Sequence, residues 1–196
     1  MGKKSESVIK YLKRHPMLMG QKARELGASR HELKLWTDQG KIHRIASGAY
    51  SLTAPLDTPE EIIATIKSPC ALAGLTALIH YGYTNVIPQK TWILVPLPRP
   101  RIFRRGVETM RQNPGVYKIG LTTTHTKWGP IQIIDREKAV LDAIRGRFLD
   151  GEEKFRVLKR WRKDPKKNRT NLTRYSKLMR VNKDIFNWLA FLVADE

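Results

Sequence analysis

Cysteine is almost absent from this chain: Cys70 is the only one in 196 residues. A single thiol excludes an intrachain disulfide framework and any multi-cysteine zinc site, and it suits a reducing compartment. Acidic residues are also scarce, 18 against 37 Lys and Arg, which leaves a formal net charge of +19. An acidic partner is the expectation from that imbalance. Long apolar runs are missing too. Nothing approaches the roughly 18 apolar residues of a spanning helix, and the longest candidate, residues 185–194, is interrupted by Asn187. The basic N-terminus lacks the apolar stretch of a secretory leader. No membrane association and a cytoplasmic location are therefore expected. The sequence contains no nucleophile elbow, P-loop or dinucleotide loop, so no cofactor, no metal and no catalysis are expected.

What is present is unevenly distributed. Apolar residues make up 41% of the chain, enough to build a core. Residues 1–50 hold 11 basic and 4 acidic side chains, a local +7. Residues 51–98 hold 2 basic and 3 acidic, and residues 154–183 hold 13 basic and 1 acidic, a local +12. Both basic clusters are interleaved with aromatics, Tyr11 and Trp36 in one, Trp161 and Tyr175 in the other. Clustered Lys and Arg gain free energy on a polyanion by releasing its condensed counterions. A continuous apolar face opposite the charge, which a membrane-surface helix needs, is lacking.

Near-helical spacing of Val8, Ile9, Tyr11 and Leu12 predicts a helix from Ser5 to Arg14, ending before Pro16. A short second helix spans Gln21 to Leu26, and Gly27 lets the chain turn. Ser29 and Glu32 form a capping box that opens a third helix, which closes at Gly40. Leu33, Trp36 and Leu35 give its core stripe, with Arg30, His31, Lys34 and Thr37 toward the other side. Helix, short Gly-containing turn, helix is the spacing of a helix-turn-helix. Residues 41–45 and 49–52 flank Ser47-Gly48 as a hairpin, which in that position is a wing. Such a module places Arg30, His31, Lys34 and Thr37 against base edges of double-stranded DNA. Gln21, Lys22, Lys41 and Arg44 then hold phosphates, with Ser29 at the helix start. His31 and His43 serve equally well as solvated or packing residues, and they do not read as a metal pair.

Leu26-Gly27, Leu35 through Ile45 and Ser47-Gly48-Ala49-Tyr50-Ser51-Leu52 resemble the N-terminal winged helix of the AbiEi-like antitoxins, regulators of type IV toxin-antitoxin and abortive-infection operons. Ser68-Pro69 followed by Leu75 through Gly82, and then Ile134 through Asp142, are similar to a helix and a strand-to-helix junction of that family. The resemblance covers residues 17–147. It implies a repressor that binds repeats upstream of its own operon, and functional pairing with a nucleotidyltransferase-type toxin.

Beyond the wing, Thr58-Pro59-Glu60-Glu61 opens a helix to about Lys67, and Cys70 to Tyr81 reads as a buried small-residue helix with an inert thiol. Strands are predicted at residues 91–95, 107–110, 116–123 and 131–134, then a helix from Arg136 to Arg145 with Ala139, Val140, Ala143 and Ile144 on one face. Further helices are predicted at residues 152–162 (Phe155, Leu158, Trp161), around Leu172, Tyr175 and Leu178, and at residues 185–193. Prolines 96, 98 and 100 with Arg99, Arg101, Arg104 and Arg105 form a stiff basic loop that either reaches a phosphate backbone or keeps a sheet edge soluble. With Lys159, Arg160, Arg162, Lys163, Lys166, Lys167 and Arg169 it makes a second basic surface. Asp135, Glu137 and Asp142 lie near Lys138, but Lys138 directly follows Glu137, which is not the acid-x-lysine spacing of a metal-dependent nuclease. Surface acids at a helix start account for them.

The fold class expected is α/β (α+β). A winged helix-turn-helix domain, residues 1–55, precedes a mixed α/β domain, residues 56–196, that ends in helices. The function expected is a DNA-binding repressor and antitoxin, with a homodimer on DNA matching operator repeats. The alternatives are a nucleic-acid-processing enzyme and a nonspecific nucleic-acid-binding protein.

Overall fold

A computed structural model of the chain describes residues 3–181. The predicted helix at 185–193 lies outside the described residues. The chain divides into two compact units, residues 1–67 together with 125–130, and the remainder.

In the first unit, α1 (Lys3–Arg14) is followed by β1 (Leu18–Met19), α2 (Gly20–Glu25), α3 (Arg30–Asp38), β2 (His43–Ala46), β3 (Ala49–Ser51) and α4 (Pro59–Ala64). The strands form an antiparallel sheet in the order β1-β3-β2, with Leu18 and Arg44 both paired to Tyr50. Val8 and Leu12, one turn apart on α1, meet Leu18, Ala23, Leu33, Trp36 and Ile42 in one core. Gly27 closes α2 at φ +79°, and Gly48 takes φ +72° in the β2-β3 turn, both left-handed positions that favour glycine. Leu35 departs from expectation. It is 45% exposed, because the buried stripe of α3 is only Leu33 and Trp36 wide.

The start of α3 is fixed reciprocally. Ser29 Oγ accepts from Glu32 N at 3.2 Å, and Glu32 Oε2 accepts from Ser29 N at 2.8 Å. These bonds, with Lys4 3.6 Å away, hold the Glu32 carboxyl below its usual value. Ser29→Ala is expected to cost about 1 kcal/mol, read as a lower urea midpoint at an unchanged m-value. An unshifted midpoint would show that the box contributes nothing.

Thr58 caps α4 through Glu61 N at 3.3 Å, but the Glu61 carboxylate turns to Leu56 N at 3.0 Å instead of completing a box, and α4 stops at Ala64, short of Lys67. Ala64 packs on a small cluster of Ile45, Ala49 and Trp128. Compactness thus keeps α4 with the first unit, although it follows the boundary at residue 55. The same cluster shows why residues 125–130, more than seventy positions beyond the β2-β3 hairpin, belong there.

The second unit has a five-stranded mixed sheet of order β6-β5-β4-β8-β7, from β4 (Ala71–Leu72), β5 (Thr91–Pro96), β6 (Val107–Gln112), β7 (Leu121–Thr126) and β8 (Gly129–Ile134). β4 pairs antiparallel to β5 and parallel to β8, and β5 pairs parallel to β6. Helices α5 (Gly74–His80), α6 (Pro114–Tyr117), α7 (Arg136–Arg145), α8 (Gly151–Lys163) and α9 (Arg169–Leu178) complete it. Mixed α/β architecture is thereby established.

Four sequence expectations need correction here. The stretch Cys70–Tyr81 is not one helix: Ala71 and Leu72 form the central strand. Gly74, at φ +51°, then opens α5 where a Cβ would sit 2.7 Å from the Trp92 ring. A short buried apolar run fits strand and helix alike. Residues 116–123 begin as the end of α6, since Pro114 starts a helical turn, and become strand only at Leu121. Phe155 and Leu178 are exposed, and Val157 and Met179 are buried instead.

The fourth correction concerns α7. Its acids are not surface acids: Glu137 through Ile144 are all buried, including Glu137, Lys138 and Asp142. Each has a framework partner. Glu137 Oε1 accepts from Trp161 Nε1 at 3.1 Å and Asn168 N at 2.8 Å. Lys138 Nζ donates to Val116 O and, at 3.4 Å, to Tyr117 O. Asp142 Oδ1 accepts from Gln112 Nε2 at 3.0 Å. Asp135 caps α7 through Lys138 N at 2.9 Å and accepts from Tyr175 Oη at 2.9 Å. Packed against α5, α8 and α9, α7 uses these groups to tie its neighbours to itself.

Candidate nucleic-acid interface

The sequence-predicted readers divide by what already holds them. Arg30, His31 and Lys34 are exposed on the outer side of α3 and make no side-chain hydrogen bond or ion pair with the described residues. They stand at i, i+1 and i+4, one continuous patch on a helix, with exposed Leu35 beside them. Thr37 is half-buried and its hydroxyl donates to Leu33 O at 2.8 Å, so its proton is engaged within the helix. Ser29 is engaged as the cap described above.

Among the residues assigned to phosphates, Gln21 and Lys41 are exposed. Lys22 pairs with Glu25 at 2.9 Å, and this bond raises its pKa above the usual lysine value. Arg44 is exposed, with Nε 3.4 Å from Ala46 O. The β2-β3 turn is tied to the start of α2 by Gly20 N donating to Gly48 O at 2.8 Å. That bond fixes where the hairpin stands relative to α2.

Lys127 escaped notice in the sequence. Its ammonium lies 5.2 Å from the centroid of the Trp128 ring, and Trp128 packs on Ile45 and Ala49 of the hairpin. A cation is thus placed beside the β2-β3 hairpin from a turn distant in sequence, and no local pattern announces it.

The second basic surface separates in the same way. Arg160 Nη1 donates to Asn85 Oδ1 at 3.0 Å and Gly82 O at 3.3 Å, and Lys167 Nζ donates to Arg162 O at 2.7 Å. These two serve the framework. Lys159, Lys163 and Lys166 are exposed, Arg162 is half-buried, and Arg169 is exposed at the start of α9. Arg169 also opens a cleft of ≈ 640 Å³ that takes in Arg174 and Lys177 of α9, cations the sequence reading did not single out. On the β5-β6 loop Arg99, Arg101 and Arg105 are exposed and Arg104 is half-buried.

Cys70 is buried, which pushes its thiol up to about 12 and keeps it protonated. Among the described residues no group of three or more His, Cys, Asp or Glu side chains is placed to hold a metal ion, and no helix is long and apolar enough to cross a membrane.

Fold and surface together define a mixed α/β protein of two compact units with unpaired cations on each. No family model and no curated protein matches the chain. Among solved structures it is similar to the crystal structure of the RV2827C protein from Mycobacterium tuberculosis, with a TM-score of 0.56 at 15% identity over 99% of this chain and 82% of that one. At that identity the likeness is one of fold alone.

Proposed function

We propose that this chain is a DNA-binding transcriptional repressor whose first unit is a winged helix-turn-helix, with α3 as the reading helix and the β2-β3 hairpin as the wing. The observation that carries the proposal is the patch of Arg30, His31 and Lys34 on α3: exposed and without side-chain partners among the described residues. Side chains of these types on an outward helix face hydrogen-bond base edges in a major groove. Lys41, Arg44 and Lys127 take phosphates on either side, and Gln21 adds a neutral donor. Lys22 and Thr37, already bonded within the fold, contribute less.

The family resemblance extends the proposal to an antitoxin of a type IV toxin-antitoxin system that binds repeats upstream of its own operon as a homodimer, paired with a nucleotidyltransferase-type toxin. The protein acts by occupancy, with no catalytic step assigned to it.

Binding of the full chain to its own upstream duplex and to a random duplex of equal length, titrated with salt, tests the repressor. A preference of about a thousandfold for the upstream duplex is expected. Equal affinity for both would remove the repressor assignment. Co-expression with the neighbouring toxin gene tests the other half: growth restored by the chain is the expected result, and continued toxicity overturns it.

A further inference from the structure

Residues 97–106 join β5 to β6 and read Leu-Pro-Arg-Pro-Arg-Ile-Phe-Arg-Arg-Gly. The loop is tethered at both ends. Leu97 N donates to Gln112 O at 2.8 Å, Arg99 N to Pro96 O at 3.0 Å, and Thr91 N to Gly106 O at 2.8 Å. Its middle is clasped by one buried hydroxyl: Thr109 Oγ1 lies 3.3 Å from Ile102 N and 3.2 Å from Ile102 O, accepting from the first and donating to the second. Prolines 98 and 100 restrict the backbone further.

Directly after this clasp stands Phe103, 91% exposed, the most exposed large hydrophobic among the described residues. A slack loop would fold such a ring against the nearest apolar surface and gain the free energy of burial; this one is tied so that it does not. From 101 to 105 exposure alternates, with Arg101, Phe103 and Arg105 exposed and Ile102 and Arg104 half-buried, and the segment closes in a turn at Arg105-Gly106, where Val107 N donates to Arg104 O at 3.1 Å. Exposed Phe103 thus stands in the chain between two exposed arginines, each two residues away. The side chains of Arg99, Arg101 and Arg105 make no hydrogen bond or ion pair with the described residues.

We propose that this loop binds single-stranded nucleic acid, with an unpaired base stacked on Phe103 and the neighbouring phosphates on Arg101, Arg105 and Arg99. Exposed cation, ring and cation along one short loop complement the alternation of phosphate and base along a strand. Stacking on a phenyl ring needs the open faces that Phe103 has, and it tolerates any base. The guanidinium plane matches phosphate oxygens two at a time. An anionic membrane fits less well, because one aromatic side chain is a single weak anchor and stable membrane attachment takes two signals. The loop lies wholly in the second unit, so this site stands independently of the assignment of α3.

The test uses the full chain, a fluorescent oligodeoxythymidine of about 15 residues, a duplex of equal length and vesicles containing phosphatidylserine. Phe103→Ala removes the ring without changing charge and is expected to weaken the single strand about tenfold, leaving duplex affinity within about twofold. Phe103→Trp is expected to restore binding, with the new indole quenched by the strand. Arg101→Gln with Arg105→Gln is expected to make the dependence of log K on log salt shallower by about 1.4. Unchanged single-strand affinity in Phe103→Ala overturns the proposal. An equal loss on the duplex overturns it in favour of a wedge between paired bases, and a loss seen only with vesicles overturns it in favour of a lipid surface. Loss of sequence preference in variants of α3 would leave all these outcomes unaffected.

Discussion

Alanine at both Arg30 and Lys34 is expected to weaken binding to the chain's own upstream duplex by about a hundredfold, with no loss of thermal stability. The expectation rests on how these residues sit. Neither has a partner in the fold, so their removal deletes contacts to a ligand and nothing else. Alanine has the highest helix propensity, so α3 itself does not weaken. A well-aligned base contact contributes about 1–3 kcal/mol of discrimination, and each lost phosphate contact makes the salt dependence shallower by about 0.9. The two single variants separate these roles. If Arg30 reads a base, Arg30→Ala weakens the upstream duplex but not a random one. If Lys34 holds a phosphate, Lys34→Ala weakens both equally and flattens the salt slope. Lys22→Ala provides the contrast, because its ammonium is already paired with Glu25 and its loss is expected to matter less. Fluorescence anisotropy across a salt series measures all of this. Wild-type affinity in the double variant would show that α3 is not the reading helix.

Lys138→Met is expected to destabilise the folded chain by about 3 kcal/mol. The Lys138 side chain is 0% exposed, and its ammonium is the donor that reaches the carbonyls of Val116 and Tyr117. Methionine fills a similar volume but leaves both carbonyls and the buried Asp142 carboxyl without their cation. The pH dependence carries the more specific signature. Burial is the main cause that lowers the Lys138 pKa from 10.5 to about 8. Between these two values the unfolded chain holds a proton that the folded chain has released, so stability rises with pH. The rise is expected to reach about 1 kcal/mol between pH 8 and about pH 9.5, because Cys70, raised by burial from 9.0 to about 12, opposes it over the same window. Above that window tyrosine takes over with the opposite sign, since burial pushes Tyr81 from 10.0 up to about 12. Burial also raises the Asp142 carboxyl above its usual 3.8. The folded state then retains a proton that the unfolded chain loses, and stability falls as pH climbs through that lower, separate window. Urea midpoints at half-unit intervals of pH detect both. A flat wild-type profile from pH 8 to 9.5, or a rise that survives in Lys138→Met, would contradict the assignment.

The parts of the chain that were legible in the sequence are those decided locally. Ser29 and Glu32 are three residues apart, and the backbone groups they cap are their own, so the start of α3 was readable. The same holds for Gly48, whose left-handed conformation makes the β2-β3 turn. The exposed side chains Arg30, His31 and Lys34 followed from the 3.6-residue period alone. What escaped was decided by neighbours distant in sequence. Leu72 is a strand residue because Ile93 and Ile133 flank it in the sheet. Glu137 is buried because Trp161 Nε1 and Asn168 N, twenty-four and thirty-one positions later, both bond to it. Acid residues near a helix start look the same in one dimension whether they face water or a packed neighbour. Lys127 and Trp128 are the extreme case, since only the path of the chain brings them to the β2-β3 hairpin.

That path has a consequence for inheritance and recombination. The chain enters the second unit after Lys67, returns to lend residues 125–130 to the first, and leaves again. Trp128, which covers Ile45 and Ala49, is therefore encoded with the second unit while it completes the first. A gene fusion that cuts after residue 67 and attaches a different partner delivers the hairpin stripped of its indole. Two units joined in this way are inherited as a single block, and a lineage can change either only by substitution within it, not by shuffling whole modules.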